Sequence, residues 1–220
     1  MVEKVSTAPN GGKLCAAVYG SRDTSVKPGG PPSLVVLAGG RGLRLGGIPK
    51  GLIRLPNGQT VVEHLLSLAE GPAFVSTNDP QAYERLDVPL IADVVADKGA
   101  PGGVVSALAI APTEWVTIVA CDMPLVNEAM LAALHERRHG GVDAVCFTRE
   151  GRLEPLVAVY RRALVYDWEP RLDGNPSMRE LVESSRFDTI ESTEPHRLMS
   201  LNSPEDFLRS VTLPLQVPTW

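Results

Sequence analysis

A run of glycines flanked by basic side chains follows the first strongly apolar segment of this chain. It reads Leu37-Ala38-Gly39-Gly40-Arg41-Gly42-Leu43-Arg44-Leu45-Gly46-Gly47-Ile48-Pro49-Lys50. Glycines let backbone N–H groups approach an anion with no side chain in between. Arg44 suits a forked contact to phosphate, and Lys50 suits a mobile point charge. The run has no GKS or GKT, so it is not a Walker loop. Nor does its spacing set a helix N-terminus at a third glycine, as a dinucleotide fingerprint requires. A loop with surface charges is the bland alternative. Five glycines together with Arg44 and Lys50 directly after a buried strand favour phosphate binding.

Asp122 ends a second apolar run, Val119-Ala120-Cys121-Asp122-Met123-Pro124. A carboxylate at the carboxyl end of a strand, on the same rim as a phosphate loop, can hold Mg²⁺, which favours one or two carboxylates plus substrate phosphates. Taken alone it reads equally as a turn aspartate before Pro124. Asn78 and Asp93 each end a further short strand. Both are credible cap or turn residues, and together they can offer hydrogen bonds to a base or ribose.

Two other patterns point elsewhere. His135-Glu136-Arg137-Arg138-His139 matches the HExxH of zinc hydrolases. It falls at the end of its helix, before Gly140-Gly141, where cationic side chains suit the helix C-terminus, and a third ligand is available only from carboxylates such as Glu150 or Glu154. His64 and His196 read as ordinary helix or loop residues. Cys121 is next to Asp122, whose charge raises a thiol's pKa, so a core thiol is expected rather than a nucleophile.

The elements that must position these residues alternate. Strands are expected at 34–37, 73–77, 89–92, 115–120, 144–147 and 156–160. Helices are expected from Thr60, where Thr60 and Glu63 have capping-box spacing, and at 79–86, 103–110, 127–139, 163–172 and 178–184. Short strands and a terminal helix opened by Ser203-Pro204-Glu205-Asp206 follow. Such alternation predicts an α/β, Rossmann-like, three-layer fold with a mostly parallel sheet. Ligands then bind outside the carboxyl ends of the strands, which selects the loops after Leu37, Val75 and Ala120. Residues 1–32, closed by the Pro- and Gly-rich stretch 27–32, read as a leader, and 33–220 as a single domain.

Composition agrees with that class. The chain has 220 residues, 44% hydrophobic and 21% charged, enough for one α/β domain with its own core. The formal net charge of -5 gives no reason to expect a nucleic-acid partner. No apolar run is long enough to span a bilayer, and the N-terminus lacks a signal-type apolar core. Three cysteines without CxxC spacing suit a reducing compartment, so a cytoplasmic location is expected.

Taken as a set, the motifs resemble those of molybdenum cofactor guanylyltransferases. Leu37-Ala38-Gly39-Gly40 with Arg44, Gly46 and Lys50 looks like that family's signature. Similar motifs follow in the same order: VVEHLL at 61–66, Asp93 followed by PGGVVSAL at 101–108, Cys121-Asp122-Met123-Pro124, EPLVAVY at 154–160, and Asn202-Ser203-Pro204-Glu205-Asp206. The likeness covers about 33–208.

The resemblance implies a Rossmann-like nucleotidyltransferase that moves GMP from GTP to the terminal phosphate of molybdopterin with Mg²⁺ and releases pyrophosphate. It implies that Leu37, Ala38, Gly39 and Gly40 line guanine and phosphates, and that Lys50 touches the phosphates. By the same likeness, Asn78 and Asp93 recognise the nucleotide, Asp122 binds Mg²⁺, and Arg179 and Asn202 face the molybdopterin side. Lys50, Arg44 and Asp122 are then the catalytic set. Two stretches depart from the family's pattern. Asn175 and Pro176 stand where basic character is usual, and Ser200-Leu201-Asn202-Ser203-Pro204 replaces Asn-x-Asn-Thr-Pro. Alternative readings keep the fold with CTP or a sugar phosphate as substrate, or make the chain a silent nucleotide-binding protein that delivers cofactor to assembly proteins or a molybdoenzyme. The second glycine, Gly40, leaves room for a purine and favours guanine.

Overall fold

The computed structural model describes residues 30–39, 49–95, 97–202 and Asp206. Most of the glycine-rich loop, including Gly40 and Arg44, lies outside the described residues, as do most of the leader and of the terminal helix expected from 203.

The strands are β1 (Ser33–Leu37), β2 (Ala73–Ser76), β3 (Leu90–Ile91), β4 (Trp115–Ala120), β5 (Ala144–Arg149), β6 (Arg152–Arg161) and β7 (Phe187–Glu191). They form one sheet in the order β3-β2-β1-β4-β6-β5-β7. Every pairing is parallel except those of β6, which runs antiparallel to both β4 and β5. The helices are α1 (Val61–Ser67), α2 (Gly99–Ile110), α3 (Glu128–Glu136), α4 (Val165–Trp168) and α5 (Met178–Glu183).

Strand alternation divides the core into two apolar layers. On β1, Leu34 and Val36 join the layer that holds Val61, Val62 and Leu65 of α1 and Met130, Leu131 and Leu134 of α3. Val35 and Leu37 join the other, with α2, Trp168 of α4 and Leu181 of α5. Burial on both faces explains why β1 and β4 read as continuous apolar runs. The result is the expected three-layer α/β fold with a mostly parallel sheet.

Several expected elements are shorter or broken. The helix expected at 79–86 is one 3-10 turn, Pro80–Tyr83, capped by Asp79. Pro89 then disfavours helix just before it, and the chain must re-enter the sheet at Leu90. The helix expected at 163–172 is the short α4 followed by a 3-10 segment, Glu169–Gly174, because Pro170 carries no N–H to continue the helix. Helix α3 stops at Glu136 rather than 139. Helix α2 begins earlier than expected, at Gly99, because Pro101 falls in its first turn, where the N–H that proline lacks would have no intrahelical partner in any case. Strand 156–160 is the inner part of a longer β6 that forms a hairpin with β5.

The capping box is present. Thr60 accepts from Glu63 N at 3.3 Å, and the Glu63 carboxylate accepts from Thr60 N at 2.7 Å. The bond from Thr60 N, with a second from Thr60 Oγ1 at 2.8 Å, holds the Glu63 carboxyl below its ordinary range. Thr60→Ala is expected to lower stability by about 1 kcal/mol in urea unfolding, with an unchanged slope.

Candidate active site at the strand switch point

β1 sits beside β4, the central strand of the sheet. The chain leaves it toward β2 and β3 on one side and returns through α2 to β4 on the other. That reversal opens a crevice at the carboxyl ends of β1 and β4, where ligands bind in open α/β sheets. Leu37 O accepts from Cys121 N at 2.9 Å, and Ala38 N donates to Ser76 O at 2.8 Å. The main chain at the ends of β1, β2 and β4 is therefore fixed at this rim.

Lys50 opens a 3-10 turn, Lys50–Leu52. The next residue, Gly51, is buried against Tyr83, and a Cβ there would stand 2.9 Å from Tyr83 Oη. Only glycine lets the turn settle this deeply, and the settling aims Lys50 inward. Its Nζ donates to Asp122 Oδ2 at 3.0 Å and to Asn202 Oδ1 at 2.8 Å. Leu201 N donates to Asp122 O at 2.7 Å, which ties the segment before Asn202 to the end of β4. Asn202 Nδ2 donates to Ser200 Oγ at 2.9 Å, so its amide oxygen turns toward the ammonium. Lys50, Asp122 and Asn202, far apart in sequence, form one cluster.

Asn78 and Asp93 form a second cluster on the same rim, at the ends of β2 and β3. Asn78 Nδ2 donates to Asp93 Oδ2 at 2.7 Å, and Asp93 N donates to Asn78 Oδ1 at 3.2 Å. Burial pushes the Asp93 carboxyl up, and the Asn78 bond pulls it down. Its other oxygen faces the first turns of α2. A Cβ built on Gly103 would lie 3.5 Å from Leu37 Cδ2, 3.5 Å from Ser76 Oγ and 3.6 Å from Asp93 Oδ1. Leu37 thus joins the two clusters, touching Cys121 through its main chain and the Asp93 side through its side chain.

The oxygen donors at the first cluster are the Asp122 carboxylate and the Asn202 amide. That hard, incomplete set fits a cation such as Mg²⁺, which takes its remaining ligands from water and substrate phosphates. No group of three or more His, Cys, Asp or Glu suited to a metal occurs among the described residues.

The HExxH pair does not converge. His135, on α3, meets Thr117 Oγ1 at 2.8 Å, and burial depresses its pKa. His139 lies beyond the helix and accepts from Gly141 N at 3.0 Å. His64 Nε2 is 3.1 Å from Val126 O. Arg179, which the resemblance leads one to expect on the molybdopterin side, is exposed and paired with Glu183 at 2.7 Å. Where basic character is absent from the sequence, Lys98 Nζ reaches across to Asn175 Oδ1 at 2.8 Å. No spacing in the chain signals that contact. Glu154 is a further rim residue, which the sequence offers only as a motif residue and as a possible third ligand for the discounted zinc reading. The β4–β6 register brings it near Asp122, and this pairing is invisible without the antiparallel strand.

Comparisons with known proteins bear on this rim. Residues 34–190 match the MobA-like NTP transferase domain family. A molybdenum cofactor guanylyltransferase of Pseudomonas putida KT2440 is 30% identical over 182 residues, covering 80% of this chain and 95% of that protein. One of Vibrio cholerae serotype O1 is 39% identical over 184 residues, covering 79% of this chain and 88% of that protein. Among solved structures, molybdopterin-guanine dinucleotide biosynthesis protein A from Archaeoglobus fulgidus superposes with a TM-score of 0.69 at 23% identity, covering 81% of this chain and 96% of that one. A nucleotidyl transferase from Methanothermobacter superposes at 0.65 and 24% identity, covering 83% and 96%. At these identities the structural likeness concerns the fold.

The thiols of Cys121 and Cys146 are both buried and free. Burial chiefly, with the Asp122 charge adding for Cys121, pushes each up to about 12. Neither is expected to react with iodoacetamide at pH 8 in the folded protein. Mass spectrometry should find both labelled only after unfolding.

Proposed function

This chain belongs to the MobA-like NTP transferase family and is a nucleotidyltransferase, and on that premise we propose that it transfers GMP from GTP to the terminal phosphate of molybdopterin, releasing pyrophosphate. The observation that supports this reading best is the Lys50 ammonium held between Asp122 and Asn202 at the switch point.

In this reading Leu37, Ala38, Gly39 and Gly40 line the guanine and the phosphates. Asn78 and Asp93 recognise the nucleoside, with each residue orienting the other through their reciprocal hydrogen bonds. Lys50 and Arg44 neutralise the triphosphate. An oxygen of the molybdopterin phosphate attacks the α-phosphorus of GTP, and the bond from that phosphorus to the β-phosphate bridging oxygen breaks. The nucleophile is already an anion near neutral pH, so no general base is needed. The barrier is repulsion between two anions brought in line, and fixed positive charge with fixed geometry lowers it.

A divalent cation, Mg²⁺ in this proposal, would be held by Asp122 and Asn202 and would supply charge neutralisation at the α-phosphate. With such a cation held there, Lys50 would give up these two oxygens, and the substrate phosphates would offer its ammonium a new partner.

No helix among the described residues is long and apolar enough to cross a membrane. The reading sets the reaction in the cytoplasm, where free thiols stay reduced.

Pyrophosphate release with molybdopterin and each of GTP, CTP, UTP and ATP tests the proposal. GTP is expected to be preferred. Asp122→Ala is expected to abolish transfer, and Lys50→Ala to lower it on the order of 100-fold, as removal of one transition-state donor does. Preference for CTP would replace the substrate, and near-normal turnover of Asp122→Ala would remove the metal assignment.

A further inference from the structure

β4 and β6 pair antiparallel, with Val119 opposite Val157 as their last pair. Beyond that pair β4 ends at Ala120, and Glu154, near the start of β6, lies at the same rim as Asp122. The electrostatics agree. Burial chiefly raises the Glu154 carboxyl, Arg149 opposes that, and the Asp122 charge raises it further.

Glu154 is fixed there by an irregularity in the sheet. Cys146 pairs with Ala158, yet the next residue, Phe147, pairs with Glu154. Pro155, Leu156 and Val157 are therefore skipped by β5, and such bulges re-aim side chains beside active sites. The bulge is pinned from below. Tyr160 Oη donates to Pro155 O at 2.6 Å, and the fully buried Tyr160 ring packs edge-on against Trp168 with centroids 5.2 Å apart. Beyond the bulge the hairpin turns through Glu150 and Gly151, both at positive φ. Glu191 of β7 ties the turn down, accepting from Glu150 N at 2.8 Å and from Thr148 Oγ1.

On this braced hairpin, Arg149 Nε lies 2.9 Å from Glu154 Oε1. The Glu154 side chain is largely covered, 14% exposed, while the Arg149 side chain remains 37% exposed. The contact is made through Nε, so donors on the two Nη nitrogens remain for a second partner in a fork suited to phosphate. The hairpin also occupies the half of the rim that the nucleotide leaves open. Asn78 and Asp93 stand on the β2–β3 side of β1, while β6 and β5 lie on the far side of β4.

We infer that Arg149 binds the anionic terminal phosphate of the acceptor, and that Glu154 is the positioning residue that aims it. The inference rests on the acceptor reading given under the proposed function. Along the rim the charges alternate, with Lys50 beside Asp122 and Arg149 beside Glu154. The two carboxylates tolerate one another because each carries its own cation. An incoming phosphate held by the Arg149 fork approaches the α-phosphorus from the side opposite the nucleoside.

Steady-state kinetics with saturating GTP and varied molybdopterin, alongside calorimetric GTP binding, tests this. Arg149→Ala is expected to raise the acceptor KM about tenfold or more, with a smaller change in kcat and an unchanged Kd for GTP. Arg149→Lys is expected to recover part of that loss by restoring the charge. Glu154→Gln, which keeps the size but not the ion pair, is expected to raise the acceptor KM by an intermediate factor. An acceptor KM unmoved in Arg149→Ala overturns the assignment, as does a parallel loss of GTP affinity, which would report general damage to the rim. If the wild-type protein transfers nothing to molybdopterin, the acceptor reading itself falls and this assignment with it. Normal wild-type turnover with an unaffected variant sinks the Arg149 assignment alone.

Discussion

The Lys50 ammonium between Asp122 and Asn202 is the constraint on which the rest of the site depends. It joins three distant parts of the chain: the residue after the glycine-rich loop, the end of the central strand β4, and the segment following the last 3-10 turn. With side-chain exposures of 25% and 23%, the pair is neither a solvated surface bridge nor a sealed buried one. An ammonium there satisfies two oxygens that would otherwise face each other unneutralised. It does so in the place where a divalent cation would find the same donors. A site built for a cation that arrives with its substrate needs such a stand-in, because a bare carboxylate at the head of a phosphate crevice would repel the triphosphate.

The surrounding fold explains why this pair can be held so firmly. β1 and β4 are buried on both faces, so their carboxyl ends leave the core at fixed heights. Gly51 lets the Lys50 turn sink onto Tyr83, and the Leu201–Asp122 main-chain bond fixes the other wall. On one side, Asn78 and Asp93 lock together over Gly103. On the other, a pinned bulge in β6 sets Glu154 and Arg149. The crevice thus has an Asn78–Asp93 half and a Glu154–Arg149 half, divided where the strand order reverses.

Much of this was legible in the sequence, for identifiable reasons. The continuous apolar runs at 34–37 and 115–120 gave away two-faced burial, and polar residues directly after them marked the rim. The Thr60–Glu63 box marked a helix start that the structure reproduces. Lys50 and Asp122 were chosen separately for their chemistry, and the structure brings them within 3.0 Å. The pairing of Asn78 with Asp93 was not legible, because each alone looks like a cap. Nor was the role of the β5–β6 hairpin. The antiparallel insertion of β6 has no signature in local periodicity, and the arrangement that brings Glu154 to the rim of Asp122 exists only once three strands have assembled. Helix 163–172 failed for a plainer reason, since Pro170 interrupts its hydrogen bonding. HExxH reads as a decoy from its place at a helix end, and helix α3 does stop before its second histidine.

The most direct test of the stand-in role is calorimetric Mg²⁺ binding to the nucleotide-free protein, comparing wild type with Lys50→Met. If Lys50 holds the oxygens that a cation would take, removing its charge should tighten Mg²⁺ binding on the order of tenfold or more, as loss of a competing neighbouring cation predicts. The gain should vanish in Lys50→Met combined with Asp122→Asn. Equal or weaker Mg²⁺ binding by folded Lys50→Met would show that the ammonium and the metal do not share a site, and would contradict the account.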